Sequence, residues 1–225
     1  MWISEVFASI QGEGRYLGVP SSFLRTSGCN LRCTFCDTPY TSWHPEGSEC
    51  TLDSLIKQVN EFACPHVVLT GGEPMLTPEL IPLSAALKQA GYVVTVETAG
   101  TVYRPVQADL MSISPKLSNS TPRDTNWEAR HDARRHRPDI IHQLTSEYDY
   151  QLKFVVAAPS DLDEVESFLD RHSHIEPGKV YLMPEGIERD AVTGRLEWLR
   201  PAAEQRGWQV TPRLHIELFG NTRGT

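Results

Sequence analysis

The sequence predicts an α/β fold: an incomplete, open β/α barrel of about six parallel strands, in a single domain spanning residues 1–225. Three observations carry this expectation. Short apolar runs alternate with amphipathic segments from Thr51 onward, and such alternation builds a parallel sheet flanked by helices. Only about six β/α units fit, whereas a closed eightfold barrel typically needs about 250 residues. The glycine-rich and polar motifs all follow apolar runs: TGGEP from Thr70, ETAGT from Glu97, SPK from Ser114 and PEG from Pro184. Those are C-terminal strand ends, where chemistry gathers in such folds.

Each element has a local reason. Leu52, Leu55, Ile56, Val59 and Phe62 repeat at helical spacing behind Thr51, a residue suited to cap a helix. HVVLTGG, from His66, is a short apolar run that ends in glycines, as a buried strand does. Pro78 to Ala90 reads as a helix stopped by Gly91, followed by the strands YVVTVET and ADLMSIS. A helix near Pro138 to Ser146 precedes the strand YQLKFVV, and Ser160 with Asp163 reads as a capping box for a helix over Val165, Phe168 and Leu169. KVYLMP, a helix around Ala191 to Arg206, and WQVTP complete the series.

Composition narrows the function classes. Hydrophobic residues make up 40% and charged residues 22%, an ordinary globular balance. A net charge of −8 opposes a nucleic-acid surface, which needs a dense Lys/Arg face. The basic run Arg130 to Arg137 reads as a solvated helix or loop face. No apolar run reaches the roughly 20 residues that span a bilayer. The first residues, MWISEVFASIQGEG, lack the basic start and apolar stretch of a secretory signal, so a cytoplasmic location with reduced thiols is expected. Cys64 reads as a small buried residue.

The feature that carries chemistry is the cysteine triplet Cys29, Cys33 and Cys36 in GCNLRCTFCDT. Three thiolates at CxxxCxxC spacing can each ligate one iron of a 4Fe-4S cube and leave the fourth iron open. A structural zinc site would need a fourth ligand, with Cys50 or His44 as candidates. An unligated thiol trio fits poorly with a polar loop that contains Arg32.

Residues 29–36 together with TGGEP resemble the radical S-adenosylmethionine (SAM) superfamily. SIQGEGRYLGVPSSFLRTSGCNLRCTFCDTPY, LTGGEP, VETAGT, SPK, QLKFVV and RLHIELFG further resemble the 7-carboxy-7-deazaguanine synthases, across nearly the whole chain. The resemblance implies a lyase that contracts 6-carboxy-5,6,7,8-tetrahydropterin to 7-carboxy-7-deazaguanine with loss of ammonia, in 7-deazapurine (queuosine) biosynthesis. It implies a 4Fe-4S cluster, SAM and Mg²⁺ as cofactors, a flavodoxin- or ferredoxin-like electron donor, and a homodimer. On the same basis Thr38 would ligate Mg²⁺, a hard cation that prefers oxygen. Gly72, Glu73, Ser114, Pro115, Lys116, Met183, Pro184, Glu185 and Gly186 would line the SAM site. Ile10, Gln11, Gly12, Glu13, Thr70, Glu97, His215 and the terminal Thr225 would hold the pterin, with the N-terminal segment and C-terminal tail completing the pocket. Arg25 would take the substrate carboxylate in its guanidinium fork; otherwise it is a strand residue paired with a nearby acid. The alternatives are a glycyl-radical activating enzyme, which shares the cysteine spacing, and a non-catalytic zinc-bearing binding module.

Overall fold

The computed structural model describes all residues, Met1–Thr225. The elements in order are β1 (Trp2–Ile10), β2 (Pro20–Thr26), α1 (Pro39–Ser42), β3 (Ser48–Glu49), α2 (Leu52–Phe62), β4 (His66–Gly71), α3 (Leu80–Gln89), β5 (Val93–Thr98) and β6 (Leu110–Ile113). They continue with α4 (Glu128–Arg135), α5 (Pro138–Glu147), β7 (Tyr150–Val156), α6 (Asp161–Asp170), β8 (Val180–Pro184), α7 (Arg189–Glu204), β9 (Gln209–Val210) and α8 (Leu214–Phe219). One nine-stranded sheet runs β3-β1-β2-β4-β5-β6-β7-β8-β9 and stays open, since β3 and β9 are its two edges.

Strands β2 and β4 to β9 pair in parallel, while β1 is antiparallel to both β2 and β3. The six expected strands are β4 to β9. The sheet adds the parallel β2 and the antiparallel β1 and β3 at the N-terminal side. WISEVFASI lacks the continuous apolar run of a doubly covered strand because β1 is half-buried along most of its length, and PSSFLRT lacks it because β2, though mostly buried, carries the polar Ser21, Ser22 and Thr26. In the centre, Val67, Val68, Leu69, Val94, Val96, Met111, Ile113, Leu152 and Phe154 are fully buried, as helices on a parallel sheet require. No helix is long and apolar enough to cross a membrane.

Thr51 caps α2 as expected, with its hydroxyl accepting from Ser54 N at 3.2 Å. The expected capping box at Ser160 is not formed: Ser160 is already helical and its side chain caps nothing. Asp161, the first residue of α6, instead braces the turn before the helix, accepting from the backbone N–H groups of Ala157 and Ala158 at 2.8 and 3.0 Å. Cys64 is half-buried, in the turn before β4, and not a core residue. The basic run is less solvated than expected. It forms α4, whose Arg135 bonds Asp132, Glu164 and the Lys116 carbonyl, and whose His131 is fully buried.

Candidate active site

The cysteine triplet lies in the loop between β2 and α1, and this loop is fastened on every side. Gly28 N donates to Thr41 O at 2.8 Å, and Glu73 N donates to Gly28 O at 2.9 Å, which joins the loop to the end of β4. Arg32 N reaches His131 Nδ1 at 3.1 Å, Thr34 N reaches Ser120 O at 2.9 Å, and Trp43 Nε1 donates to Cys33 O at 3.0 Å. Gly72 makes this packing possible. A Cβ there would lie 2.3 Å from Gly28 O and 2.7 Å from Thr41 O, so only glycine lets strand end and loop approach.

All three thiols face a cavity of about 200 Å³. Burial, reinforced by Glu73, pushes the Cys29 thiol up to about 12, and burial pushes Cys33 up to about 11. In the metal-free protein these are therefore thiols, and metal ions binding there must displace their protons. The donor set fits a three-cysteine cluster: Cys29, Cys33 and Cys36 all line the one cavity, and three thiolates leave the fourth iron of a 4Fe-4S cube open toward that space. Cys50, needed by a zinc reading, is tied to the N-terminus by its backbone, and His44 is exposed.

His131 holds the loop as a neutral imidazole. Nδ1 must accept from Arg32 N; the Ser120 hydroxyl is committed to Leu117 O at 2.6 Å, so Nε2–H donates to Ser120 Oγ at 2.9 Å. Burial lowers its pKa to about 4. A protonated Nδ1 cannot accept, so the folded protein resists protonation that the unfolded chain takes up near the usual 6.5. The stabilisation from His131 is thus complete above pH 6.5 and is lost as pH falls toward 4. In thermal melts of the metal-free protein, the Tm difference between wild type and His131→Ala should shrink as pH is lowered across that window.

The cavity also carries ion pairs. Lys153 Nζ, on β7, bonds Glu13 at 2.7 Å and Glu97 at 3.4 Å, with only 4% of its side chain exposed. Glu97, near the end of β5, also accepts from Thr70 Oγ1 at 3.0 Å and from Gln11 Nε2 at 3.2 Å. Arg213 bonds Asp37 and lies 3.4 Å from Glu13. Burial alone would raise the Glu13 carboxyl, but Lys153, Arg213 and His215 outweigh it and hold the group well below the usual carboxylate range. Burial likewise pulls Lys153 down, and Glu13 and Glu97 more than restore it, leaving its pKa above the usual value. Burial lowers the pKa of His215.

Most of the expected site residues meet around this cavity. Cys29, Cys33, Cys36, Thr38, Thr70, Gly72, Ser114, Lys116, Met183, Glu185 and Gly186 line it. Ile10, Gln11, Gly12, His215 and Thr225 line an adjoining lobe, and Glu13, Arg25 and Glu97 face both. A Cβ on Gly12 would lie 2.0 Å from His215 Nδ1, so that glycine lets α8 close against the β1–β2 turn. Pro115 and Pro184 line neither lobe. Glu73 does not either: its buried carboxylate accepts from Met75 N, Thr98 Oγ1 and Ala99 N. It braces the loops at the strand ends and presents no side chain to a ligand. Gln11 also looks inward, with its amide between Glu97 and Glu13 N. Both readings of Arg25 meet in one residue, since it lines the cavity and pairs with Glu5 at 2.8 Å.

Asp37, Lys153 and Arg213 were not anticipated as site residues, yet all three line the cavity. Lys153 had a signal, a cation inside the apolar run YQLKFVV, because a buried lysine requires a partner. Asp37 and Arg213 stand in polar surroundings that carry no such mark.

This chain is 44% identical to the 7-carboxy-7-deazaguanine synthase of Halobacterium salinarum, over 99% of its own length and 92% of the relative's. The chain belongs to the 7-carboxy-7-deazaguanine synthase family. The Rhodopirellula baltica member of that family is 46% identical over 99% of this chain and 88% of its own. The Radical SAM superfamily profile matches residues 23–116, from β2 through the SPK motif. The crystal structure of QueE from Escherichia coli shares the fold of this family member, with a TM-score of 0.72 at 23% identity, covering 95% of this chain and 94% of that one. A radical SAM lyase with a 4Fe-4S cluster and SAM is the enzyme class this membership establishes.

Proposed function

We propose that this family member contracts 6-carboxy-5,6,7,8-tetrahydropterin to 7-carboxy-7-deazaguanine, with ammonia as the second product, in 7-deazapurine (queuosine) biosynthesis. The observation that carries the reading is the continuity of the two lobes, in which the cavity lined by the three cysteines and the adjoining polar lobe share Glu13, Arg25 and Glu97. Cys29, Cys33 and Cys36 would hold the cluster, with Gly72, Ser114, Lys116, Met183, Glu185 and Gly186 around SAM. When bound, cluster and SAM supply the one-electron chemistry that makes a 5′-deoxyadenosyl radical able to take hydrogen from a substrate carbon.

The chain's own residues bind and orient. The bond from Arg25 to Glu5 uses Nε, so its two Nη groups are available as a fork for the substrate carboxylate. Glu13 and Glu97 supply acceptors for ring N–H groups, with Lys153 and Arg213 fixing their positions. Thr38 lines the same space and its hydroxyl would give Mg²⁺ one oxygen, the others coming from substrate and water. A flavodoxin- or ferredoxin-like protein would supply electrons, and a homodimer and cytoplasmic location complete the reading.

Anaerobic reconstitution with iron, sulfide, SAM, reductant and the carboxypterin tests it. Product and ammonia in equal amounts are expected, with Mg²⁺ stimulation that Thr38→Ala loses. SAM cleavage with no deazaguanine would point to a protein-activating enzyme. One zinc per chain, with no iron or sulfide after anaerobic purification, would point to a binding module.

A further inference from the structure

Glu5 stands at a junction of three parts of the chain, of which only its bond to Arg25 enters the proposed function. It lies on β1 where the pairing with β2 slips: Ile3 pairs with Thr26, but Glu5 pairs with Arg25, leaving Ser4 as an extra residue. Such a bulge re-aims the residues that follow it. Without it Ser4, and not Glu5, would face Arg25. The bulge leaves the Ser4 hydroxyl buried with no partner, a local penalty that the Glu5–Arg25 pairing offsets.

The Glu5 side chain is 10% exposed and collects three donors from three parts of the chain. Arg25 Nε donates to Oε2 at 2.8 Å, and Tyr40 OH, two residues past Thr38, donates to the same oxygen at 2.9 Å. Arg223 Nε, in the C-terminal tail, donates to Oε1 at 2.8 Å. The Arg223 guanidinium also lies 4.1 Å from the Tyr40 ring centroid and bonds Glu46 at 2.9 Å. Two residues further on, Thr225 lines the same lobe as Gly12, Arg25 and His215.

We propose that Glu5 is a positioning residue that ties closure of the C-terminal strap, residues 220–225, to the aim of Arg25 at the substrate carboxylate. One carboxylate between two guanidiniums locks the rotation of Arg25 about its Nε and holds the strap across the pocket mouth. Carboxylate binding at Arg25 and strap docking then favour each other, because each needs the same Glu5 conformation. This inference rests on Arg25 as the carboxylate-binding residue.

The test uses the full chain, reconstituted anaerobically, in three variants: Glu5→Gln, Arg223→Ala and the double. Arg223 is half-exposed on the tail, so its replacement leaves the core intact. Without substrate, amide exchange in the 216–225 peptide should accelerate about tenfold or more in each single variant, since each weakens or removes at least the Arg223–Glu5 charge-assisted bond. KM for the carboxypterin should rise about tenfold with kcat within about threefold, and the double variant should fall well short of the product of the two single effects, with the Glu46 and Tyr40 contacts of Arg223 accounting for the remainder. A merely structural Glu5 would lower Tm and leave strap exchange and KM unchanged, and that result overturns the proposal. So does a double variant whose KM increase is the product of the two single effects. If the carboxypterin proves not to be the substrate, the proposed function falls while the exchange arm still decides whether Glu5 holds the strap.

Discussion

Lys153→Met should destabilise the fold by about 3–5 kcal/mol, the range for removing one partner of a buried ion pair. It should also abolish binding of the carboxypterin. Lys153 lies almost fully inside, between Glu13 and Glu97, and methionine keeps the aliphatic stem while deleting the charge. Two carboxylates then share a buried wall, and Arg213 is the one ion-pair partner left to Glu13. The pH dependence separates this from simple loss of packing. With Lys153 present, the Glu13 carboxyl is held low and its stabilising contribution is in place above the usual carboxylate range. In the variant that carboxyl rises, the unpaired charge can be relieved by protonation, and the deficit should narrow as pH falls from 8 toward 5. Denaturant melts at several pH values measure this. A pH-independent deficit would mean that Lys153 only fills space.

Gly72→Ala should prevent cluster assembly without touching a cysteine. The added methyl would meet backbone carbonyls of Gly28 and Thr41, which cannot rotate aside as a side-chain tip could. Strand end and cysteine loop must separate, at a cost of about 1–3 kcal/mol or more by the scale of overpacked sites. Iron and sulfide content after reconstitution is the readout, with a drop to the level of Cys29→Ala expected. Full cluster content with weakened SAM binding would instead place the role of Gly72 at the ligand. The geometry thus gives this glycine a reason inside the protein as well as beside the cofactor.

The strand-to-helix alternation and the cysteine spacing could be read directly, because both are local. A buried parallel strand must be apolar on both faces, so HVVL and VVTV announce themselves, and three thiols within eight residues need no tertiary contact to stand out. β1 and β2 are harder to read: β1 is half-buried and β2 carries Ser21, Ser22, Arg25 and Thr26 among its apolar residues, and the bulge at Ser4 breaks the alternation that would reveal β1. The Ser160 cap is absent because Ser160 already takes helical backbone angles, which turn its hydroxyl away from the capping position, while Asp161 holds the turn before the helix.

What the sequence determined by itself was the chemistry at each strand end, namely where thiols, glycines and polar side chains would stand. Which charges meet was decided only by the tertiary structure. Glu13 and Lys153 are 140 residues apart, Glu13 and Arg213 are 200 apart, and Arg223 reaches back 218 residues to Glu5. Local periodicity encodes which face a residue takes, but strand order and register choose the residue opposite it. Here an open sheet brings the turn after β1, the ends of β4 and β5, and the middle of β7 around one cavity. A one-residue bulge then selects Glu5 as the partner of Arg25.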